Sequence, residues 1–535
     1  MTRALQEWVT REAQRRPDAT AVVMGGERLT YGQLDALSNQ LARTLRAVGC
    51  EAGDRVCLLL PKGPLTVASM IGVLKAGSCY VPLDTASPGA RLAKIVTSAD
   101  PHVLLASPRA AATLDGLLLD DQLRSTVRVG WMDVPPVPDE RGVAFTLDDV
   151  RRMPAEAPGV TTAPSDCAHI LFTSGSTGTP KGVPITHGSV IRFVEWAKGY
   201  FGLSTRDRLS GHSPFHFDLS TFDVYGTFSA GAQLHLVPPE LNVLPHTLVD
   251  FIRDCELTQW FSVPSVLTLM AQLDVVRHGD FPTLERLLWC GEVFPTRALR
   301  YWMTRLPQVR FTNLYGPTEA TIASSYYTVP SCPADDGVPI PIGQPCGGEE
   351  LLVLDAAVRP VAPGDVGDLY IRGAGLSPGY WRDPEKTQAA FLPNPADPND
   401  RIYRTGDLAR AGEDGLIYFL GRADAQIKSR GYRIELGEIE AAVQSLSDLV
   451  ECAVVALPTD GFEGTVICCG YVPREGVAVT PLSLRRRLAD VLPVYMLPSQ
   501  WKAYERLPRN ANGKIDRRRM KEEWSRDEAA PIGQS

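Results

Sequence analysis

The sequence lacks the patterns that mark membrane, secreted and nucleic-acid-binding proteins. No run of 18 apolar residues occurs among its 535 residues, and the first residues show no apolar core of a signal peptide. We therefore expect a cytoplasmic protein with no membrane partner. The formal net charge of −8 argues against broad nucleic-acid binding, so we predict no nucleic-acid partner.

Cysteine and histidine are too scattered to form a metal-binding pattern. The eleven cysteines contain no C-x-x-C pair, which indicates reduced and mostly buried thiols. His212 and His216 are four residues apart, but Pro214 lies between them and no third ligand is near in the sequence. We predict no zinc site.

The sequence does have a regular alternation of short apolar runs and helical segments. The runs RVCLLLP, HILFT, WFSVP and RLLWCG begin at residues 55, 169, 260 and 286, and each is followed by turn residues. This alternation predicts an α/β fold in which parallel sheets are covered by helices. Ligands of such folds bind at the carboxyl ends of the strands.

The composition changes near Gly421, which predicts a second domain. A charged stretch is followed by a helical pattern of Ile439, Val443, Leu446 and Val450, then by two strand-like runs and an arginine-rich helix. We predict a large N-terminal domain over residues 1–422 and a small α+β domain over residues 423–523. Residues 524–535 are predicted to form a disordered tail because they are polar.

The segment FTSGSTGTPKG, residues 172–182, combines glycines, hydroxyls and a lysine directly after the HILFT run. Glycine lets backbone amides approach a ligand, hydroxyls donate hydrogen bonds and lysine adds a positive charge. This combination predicts a phosphate-binding loop. It is not a Walker A loop, because Pro180 stands where that pattern requires glycine.

Seven segments in consistent order resemble those of the adenylate-forming superfamily, which includes acyl-CoA synthetases, beetle luciferases and the adenylation domains of nonribosomal peptide synthetases. The segments are LKAGSCYVPLD, the loop above, NLYGPTEAT, GDLYIRGAGLSPGYW, YRTGDL, GRADAQIKSRGYRIELGEIE and NGKIDR. The resemblance covers roughly residues 20 to 520 and is closest to amino-acid adenylation domains. The resemblance implies that the protein uses ATP as its nucleotide and Mg²⁺ as its metal ion.

The resemblance also implies roles for particular residues at an ATP site. Tyr315 would face adenine, Thr318 would reach the α-phosphate and Asp407 would bind the ribose hydroxyls, while Glu319 would be the Mg²⁺ ligand. The full predicted ATP-binding set is Thr173, Ser174, Gly175, Ser176, Thr177, Gly178, Lys181, Gly291, Glu292, Val293, Asn313, Tyr315, Gly316, Thr318, Asp407, Phe419, Arg422 and Lys514.

Lys514 is the predicted catalytic residue, because attack on the α-phosphate develops negative charge that an ammonium group stabilises. The family uses its small domain in two arrangements. By resemblance, Asp424 is the hinge residue between them. Lys428 and Gly431 would line the pantetheine channel of the second arrangement.

Asp218 matches the position where amino-acid-activating members hold the α-ammonium group of the substrate. Phe222 limits the space and the lining is apolar, so we predict a small aliphatic amino acid. Alanine comes first, followed by glycine, serine, cysteine and valine, and a β-amino acid stays open. The predicted substrate-binding set is Phe217, Asp218, Leu219, Phe222, Ser262, Leu288, Cys290, Leu314, Ile322 and Ala323.

The acceptor is predicted to be a discrete acyl or peptidyl carrier protein. Only 21 residues follow Lys514 in the sequence, which is too short a segment for a carrier domain with a Gly-x-Ser phosphopantetheine site. Four arginines could meet an acidic carrier, although a solvated surface explains them equally well: Arg485, Arg486, Arg487 and Arg517. The alternatives are an acyl- or aryl-CoA synthetase, which Asp218 disfavours, and a non-catalytic protein, which Lys514 disfavours.

Overall fold

The computed structural model describes residues 2–133, 142–175, 178–423, 426–459, 464–509 and 515–529. The strands of the large domain are β1 (Thr20–Met24), β2 (Glu27–Thr30), β3 (Arg55–Leu59), β4 (Cys79–Pro82), β5 (Val103–Ala106), β6 (Arg128–Trp131), β7 (Val143–Thr146), β8 (Cys167–Thr173), β9 (Lys181–Thr186), β10 (Arg208–Gly211), β11 (Gln233–Leu236), β12 (Gln259–Ser262), β13 (Arg286–Cys290), β14 (Arg310–Tyr315), β15 (Ser325–Thr328), β16 (Gln344–Pro345), β17 (Glu349–Leu354), β18 (Gly367–Gly373), β19 (Phe391–Asn394), β20 (Asp397–Ala411) and β21 (Ile417–Arg422).

Helices cover the sheets of this domain. They are α1 (Gln6–Arg15), α2 (Tyr31–Ala47), α3 (Pro64–Lys75), α4 (Gly89–Ala99), α5 (Ala111–Leu117), α6 (Asp121–Thr126), α7 (Leu147–Arg152), α8 (His187–Phe201), α9 (Leu219–Ala230), α10 (Pro245–Asp254), α11 (Pro264–Gln272), α12 (Thr296–Arg305) and α13 (Pro384–Ala390). All residues of helix α3 except Leu65 are buried, as its apolar sequence requires. In the described chain, no helix is long and apolar enough to cross a membrane.

A seven-stranded sheet carries the predicted phosphate loop. Its order is β7-β6-β5-β3-β4-β8-β9, and the pairs are parallel except for β8 with β9. Thr173 at the end of β8 pairs with Lys181 at the start of β9, so the loop closes this hairpin. The apolar runs at 55 and 169 thus form strands, and the loop lies at the carboxyl end of β8, as predicted.

A nine-stranded sheet packs beside it in the order β16-β15-β14-β13-β12-β10-β11-β1-β2. Its central strands β11, β10, β12, β13 and β14 are parallel, so their carboxyl ends lie along one edge. Strand β13 ends at Cys290 and β14 ends at Tyr315, both predicted site residues. A third sheet, with β20 and β21, pairs Asp407 with Arg422.

The small domain contains the hairpin β22 (Gln426–Ser429) and β23 (Tyr432–Glu435), helix α14 (Leu436–Gln444), the sheet β24 (Leu449–Pro458), β25 (Thr465–Pro473) and β26 (Gln500–Ala503), and helices α15 (Pro481–Leu488) and α16 (Arg517–Ala529). Together with the helix-covered sheets, it confirms the predicted fold class.

Two details correct the sequence predictions. Helix α14 ends at Gln444, and Val450 lies on β24 with 54% of its surface exposed, so Val450 does not continue the helical stripe. The predicted disordered tail is also corrected for residues 524–529, because α16 continues to Ala529 and Trp524 is buried beside Tyr504. The aromatic packing of Trp524 anchors a segment that composition alone marks as polar.

Candidate active site

The predicted phosphate loop brings several donors together. Thr173 Oγ1 is shielded from solvent and has no hydrogen-bond partner among the described residues. Lys181 is largely buried, and this burial lowers the pKa of its ammonium group. The positive charge of Arg433 lowers the same pKa by a smaller amount. Lys94 donates to the carbonyl of Gly178 at 3.2 Å and adds a further positive charge beside the loop. Such donors suit a phosphate group.

Glu319 lies opposite this loop on a 3₁₀ turn, Thr318–Ala320. Its side chain is fully buried, with Tyr380 Oη at 2.8 Å and Lys181 Nζ at 3.3 Å from Oε1, and Arg433 at 2.7 Å from Oε2. Burial by itself would raise the pKa of Glu319. The positive charges of Arg433 and Lys181 lower this pKa by a larger amount, so the carboxyl group stays ionised. A buried, ionised carboxylate oxygen fits Mg²⁺, because this ion binds through one or two carboxylates and takes its other ligands from water and phosphates.

A cavity of about 1320 Å³ is lined by several of the predicted adenosine residues, among them Tyr315, Phe419 and Arg422. The Tyr315 hydroxyl donates to Asp407, and Arg422 donates to the other carboxylate oxygen at 2.6 Å. Phe419 lies 6.4 Å from the Tyr315 ring, centroid to centroid. The cavity therefore offers aromatic surface and a fixed carboxylate, which suit a base and its ribose.

The strand ends supply the remaining wall of this cavity. Gly291, Glu292 and Val293 follow β13, and Asn313 donates to the carbonyl of Pro341 at 2.9 Å. Gly316 must be glycine here, because an added Cβ would lie 2.6 Å from the Cα of Ala323. Gly291, Glu292, Val293 and Asn313 thus line the cavity, and their contact with ATP stays a prediction.

A second, apolar set of residues forms the candidate amino-acid pocket. We use this name for Asp218, Leu219, Phe222, Phe261, Leu288, Cys290, Leu314, Ile322 and Ala323, whose side chains, Asp218 apart, belong to one buried cluster. Phe222 is fully buried and its ring contacts those of Phe193 and Phe261. Burial raises the pKa of the Cys290 thiol to about 12, so this residue acts as a small neutral wall.

Ser262 is a correction to the predicted pocket. Strand β12 alternates its faces, and Phe261 pairs with the pocket residue Leu288. Ser262 faces the opposite side, where its hydroxyl accepts from the indole of Trp260 at 2.9 Å. Phe261 therefore takes the position assigned to Ser262. The register of β12 with β13 determines which face of the sheet Ser262 occupies, and the sequence alone did not reveal this register.

Asp218 marks the polar end of the pocket. Its carboxylate accepts from Thr318 Oγ1 at 2.8 Å. Burial raises the pKa of Asp218, while the bond from Thr318 and the charge of Lys428 lower it in part. A half-buried carboxylate among apolar side chains is stabilised by a cationic partner. Thr318 thus bonds Asp218 here, and its contact with the α-phosphate stays a prediction.

The small domain covers the site with its β22–β23 hairpin. Lys428 Nζ lies 5.8 Å from the centre of the Tyr315 ring. The Gly431 amide donates to Glu292 at 2.7 Å, and Glu292 also accepts from the Ser265 amide at 2.9 Å. Phe217 contacts Tyr432 edge to face, with ring centroids 4.9 Å apart. Lys428 and Gly431 thus face the predicted nucleotide and substrate residues.

Further contacts between the domains involve residues that the sequence did not single out. The Arg91 guanidinium pairs with Glu438 on α14, and both side chains are buried. The Gly175 amide donates to Glu438 at 3.3 Å, and the Ser174 hydroxyl donates to the Arg433 carbonyl at 2.6 Å. We call these contacts, with those of Glu319 and Glu292 to the small domain, the domain seam.

Four predicted site residues lie outside the described residues: Ser176, Thr177, Asp424 and Lys514. Residues on either side of Lys514 bond within the small domain, since Arg509 pairs with Glu451 at 2.6 Å and Arg517 with Glu440 at 2.7 Å.

The arginines predicted to meet a carrier differ in their contacts. Arg487 pairs with Asp448, Arg517 with Glu440, and Arg485 donates to the Pro498 carbonyl at 3.4 Å. Arg486 is exposed on α15, one helical turn after the exposed Leu482. Arg487 and Arg517 are thus held within the small domain, and Arg485 and Arg486 are the more accessible pair.

Comparison with known proteins connects this geometry to a family. The family profile described as AMP-binding enzyme matches residues 9–381, which is more than half of the chain, and the profile of its C-terminal domain matches residues 438–514. The chain belongs to the AMP-binding enzyme family. The resemblance seen in the sequence is thereby confirmed.

Curated members of the AMP-binding enzyme family match nearly the whole chain. An L-proline--[L-prolyl-carrier protein] ligase of Streptomyces coelicolor is 35% identical and covers 96% of both chains. A protein of the same name from Pseudomonas fluorescens is 34% identical over 96% of this chain and 98% of its own. Tyrocidine synthase 3 of Brevibacillus parabrevis is 35% identical over 97% of this chain, which corresponds to 8% of that protein.

Solved structures of other proteins show a similar architecture. IdnL1 aligns with a TM-score of 0.77 at 29% identity, covering 95% of this chain and 98% of its own. The Vibrio cholerae adenylation domain AlmE aligns with a TM-score of 0.85 at 24% identity over 98% of both chains, a likeness of fold.

Proposed function

We propose that the protein is an amino acid--[carrier protein] ligase that forms AMP and activates L-proline. The observation that carries the proposal is the half-buried Asp218 carboxylate at the end of an otherwise apolar pocket. A carboxylate there suits an α-ammonium group, and proline presents a positive secondary ammonium beside an apolar ring. The relatives from Streptomyces coelicolor and Pseudomonas fluorescens, named as prolyl ligases, support this choice over alanine, which stays the second candidate.

In the first half-reaction, the substrate carboxylate attacks the α-phosphorus of ATP. The bond from that phosphorus to the bridging oxygen breaks, giving aminoacyl-AMP and pyrophosphate. Thr173, Lys181 and the loop amides would hold the phosphates, and Lys514 would stabilise the developing charge. Mg²⁺, bound through Glu319, would neutralise phosphate oxygens.

In the second half-reaction, a phosphopantetheine thiol of a discrete carrier protein attacks the aminoacyl carbonyl carbon. The bond to the phosphate oxygen breaks, AMP leaves and a thioester forms. The observed position of Gly431 and Lys428 at the site corresponds to the arrangement proposed for this step. The domains would exchange arrangements by rotation about Asp424, bringing Lys514 to the α-phosphate for the first step.

An ATP–pyrophosphate exchange panel tests the activation step. The panel contains L-proline, L-alanine, glycine, L-serine, L-cysteine, L-valine and β-alanine, each with and without Mg²⁺. We expect the highest exchange with L-proline, and exchange only when Mg²⁺ is present. Highest exchange with alanine or β-alanine would replace proline as the substrate, and exchange with none would contradict amino-acid activation.

The acceptor is tested by mass spectrometry with L-proline, ATP and either a holo carrier protein or CoA. We expect the carrier to gain the aminoacyl mass and CoA to react poorly. Efficient turnover with CoA and none with a carrier would favour the alternative of an acyl- or aryl-CoA synthetase. Exposed Arg485 and Arg486 are the proposed contacts with an acidic carrier surface.

A further inference from the structure

Asp223 is a buried acid that the proposed function does not use. It is on helix α9, directly after the pocket residue Phe222 and one helical turn after Leu219. Its side chain is buried, and no side chain of the described residues donates a hydrogen bond to either carboxylate oxygen. A buried carboxylate is costly unless an opposite charge compensates it. Asp223 therefore requires a cationic neighbour.

That neighbour is Lys62, in the short segment between β3 and helix α3. Its ammonium group donates to the carbonyl oxygen of His212 at 2.7 Å. Burial lowers the pKa of Lys62, and the negative charge of Asp223 raises it. Burial raises the pKa of Asp223, and the positive charge of Lys62 lowers it in part. Each group thus stabilises the charged form of the other.

Lys62 connects two segments that shape the candidate amino-acid pocket. His212 directly follows β10 and begins the loop that leads to Asp218. Helix α9 follows this loop and carries Phe222. Lys62 holds the start of the loop by its hydrogen bond and interacts with Asp223 on α9 by its charge. Because β3 and β10 belong to different sheets, Lys62 also ties the loop to the seven-stranded sheet.

We propose that Lys62 and Asp223 are positioning residues of the amino-acid site, which fix the loop carrying Asp218 against the helix carrying Phe222. Without the ammonium group, the His212 carbonyl loses its donor and Asp223 stays buried without its compensating charge. The loop and the helix then shift relative to each other, and the carboxylate and the apolar wall no longer fit one substrate. The inference rests on the proposed role of Asp218 in amino-acid recognition.

Kinetics of ATP–pyrophosphate exchange test the proposal with the best amino acid of the panel. Lys62→Met removes the charge and keeps most of the volume. We expect the KM for the amino acid to rise about tenfold, and kcat and the KM for ATP to change less than about threefold. Lys62→Arg keeps a charged donor and should have a smaller effect. The double variant Lys62→Met/Asp223→Asn has no uncompensated charge, so its KM should return to within about threefold of the wild type.

Lys75→Met is the matched control, because Lys75 is another buried lysine that pairs with an acid. Its ammonium group lies 2.6 Å from Asp35 and 2.8 Å from the Asn39 side-chain oxygen, and both partners are on helix α2. None of the residues that define the candidate pocket is on this helix. We expect Lys75→Met to lower the melting temperature and to keep the wild-type KM for the amino acid. The control separates positioning from a general loss of stability.

The same substitution in an Asp218→Ala background shows whether Lys62 acts through Asp218. We expect Lys62→Met to lower kcat/KM about tenfold in the wild type and less than about twofold when Asp218 is already alanine. If Lys62→Met does not fold, Asp223→Asn replaces it in both backgrounds, with an expected fall of about fivefold in the wild type.

An unchanged KM for the amino acid in the folded variant would overturn the proposal. An equal fall of kcat/KM in both backgrounds would overturn it as well, because the effect would then not depend on Asp218. The proposed function fails by a different result, the absence of ATP–pyrophosphate exchange by the wild type with every amino acid of the panel.

Discussion

The amino-acid pocket lies within the large domain and surrounds Asp218 with apolar side chains, whereas the domain seam joins the two domains largely through charged groups. Apolar walls keep their shape whatever ligand is bound, because their contacts depend on burial. The charged pairs of the seam join residues of different domains, so they form only where the two domains pack together. The difference suggests that substrate choice depends on the pocket, and that the packing of the two domains depends on the seam.

Removing the carboxylate of Asp218 should have the largest effect, because it is the acid of an otherwise apolar pocket. Asp218→Ala leaves the substrate ammonium unpaired in a dry site, at a cost of about 3–5 kcal/mol. We expect exchange with the best amino acid to fall about 100- to several-thousandfold. Wild-type exchange in this variant, with the fold intact by circular dichroism, would refute the role of Asp218.

Removing the charge of Lys514 should separate the two half-reactions. We expect Lys514→Ala to lower exchange about 100- to 1000-fold, because the ammonium stabilises charge at the α-phosphate. Transfer from a supplied aminoacyl adenylate to a carrier should persist, because the adenylate already contains the bond whose formation this ammonium group assists. Stopped-flow or single-turnover assays of each step provide the check, and equal loss of both steps would count against the separation.

Breaking a charged contact of the seam should affect the second step and spare the first. Glu438→Gln leaves Arg91 without its buried partner, so docking weakens and carrier loading should slow about 10- to 100-fold. The matched control is Glu440→Gln on the same helix, since Glu440 pairs with Arg517 inside the small domain. If the two variants load the carrier at equal rates, the Arg91–Glu438 pair does not contribute to the second step.

Enlarging the pocket should give the smallest effect and change preference more than rate. Phe261→Ala opens the wall beside Phe222, and a change of this size is worth about 1–3 kcal/mol of discrimination. We expect the preference for proline over leucine in exchange to fall about tenfold. Ser262→Ala is the control, because Ser262 faces Trp260, and it should keep the preference. If Ser262→Ala lowers the preference for proline and Phe261→Ala does not, Ser262 rather than Phe261 lines the pocket.

The strands and the loop positions were predictable because the apolar runs are short, buried and bounded by turn residues, as at HILFT before the phosphate loop. The face of a strand was harder to predict. Residues 259–262 are all buried, so burial does not distinguish Phe261 from Ser262, and only the pairing with β13 does. The seam was not predictable either, since Arg91 and Glu438 are 347 residues apart and their contact depends on how the domains pack.

The most direct test compares L-proline with cyclopentanecarboxylate in ATP–pyrophosphate exchange. The two share ring size and carboxylate, but only proline carries the ammonium group. If Asp218 recognises charge while apolar walls recognise shape, the wild type should favour proline by at least about 100-fold. Asp218→Ala should reduce this preference to less than about tenfold. Equal use of both acids by the wild type, or an unchanged preference in Asp218→Ala, would contradict the account.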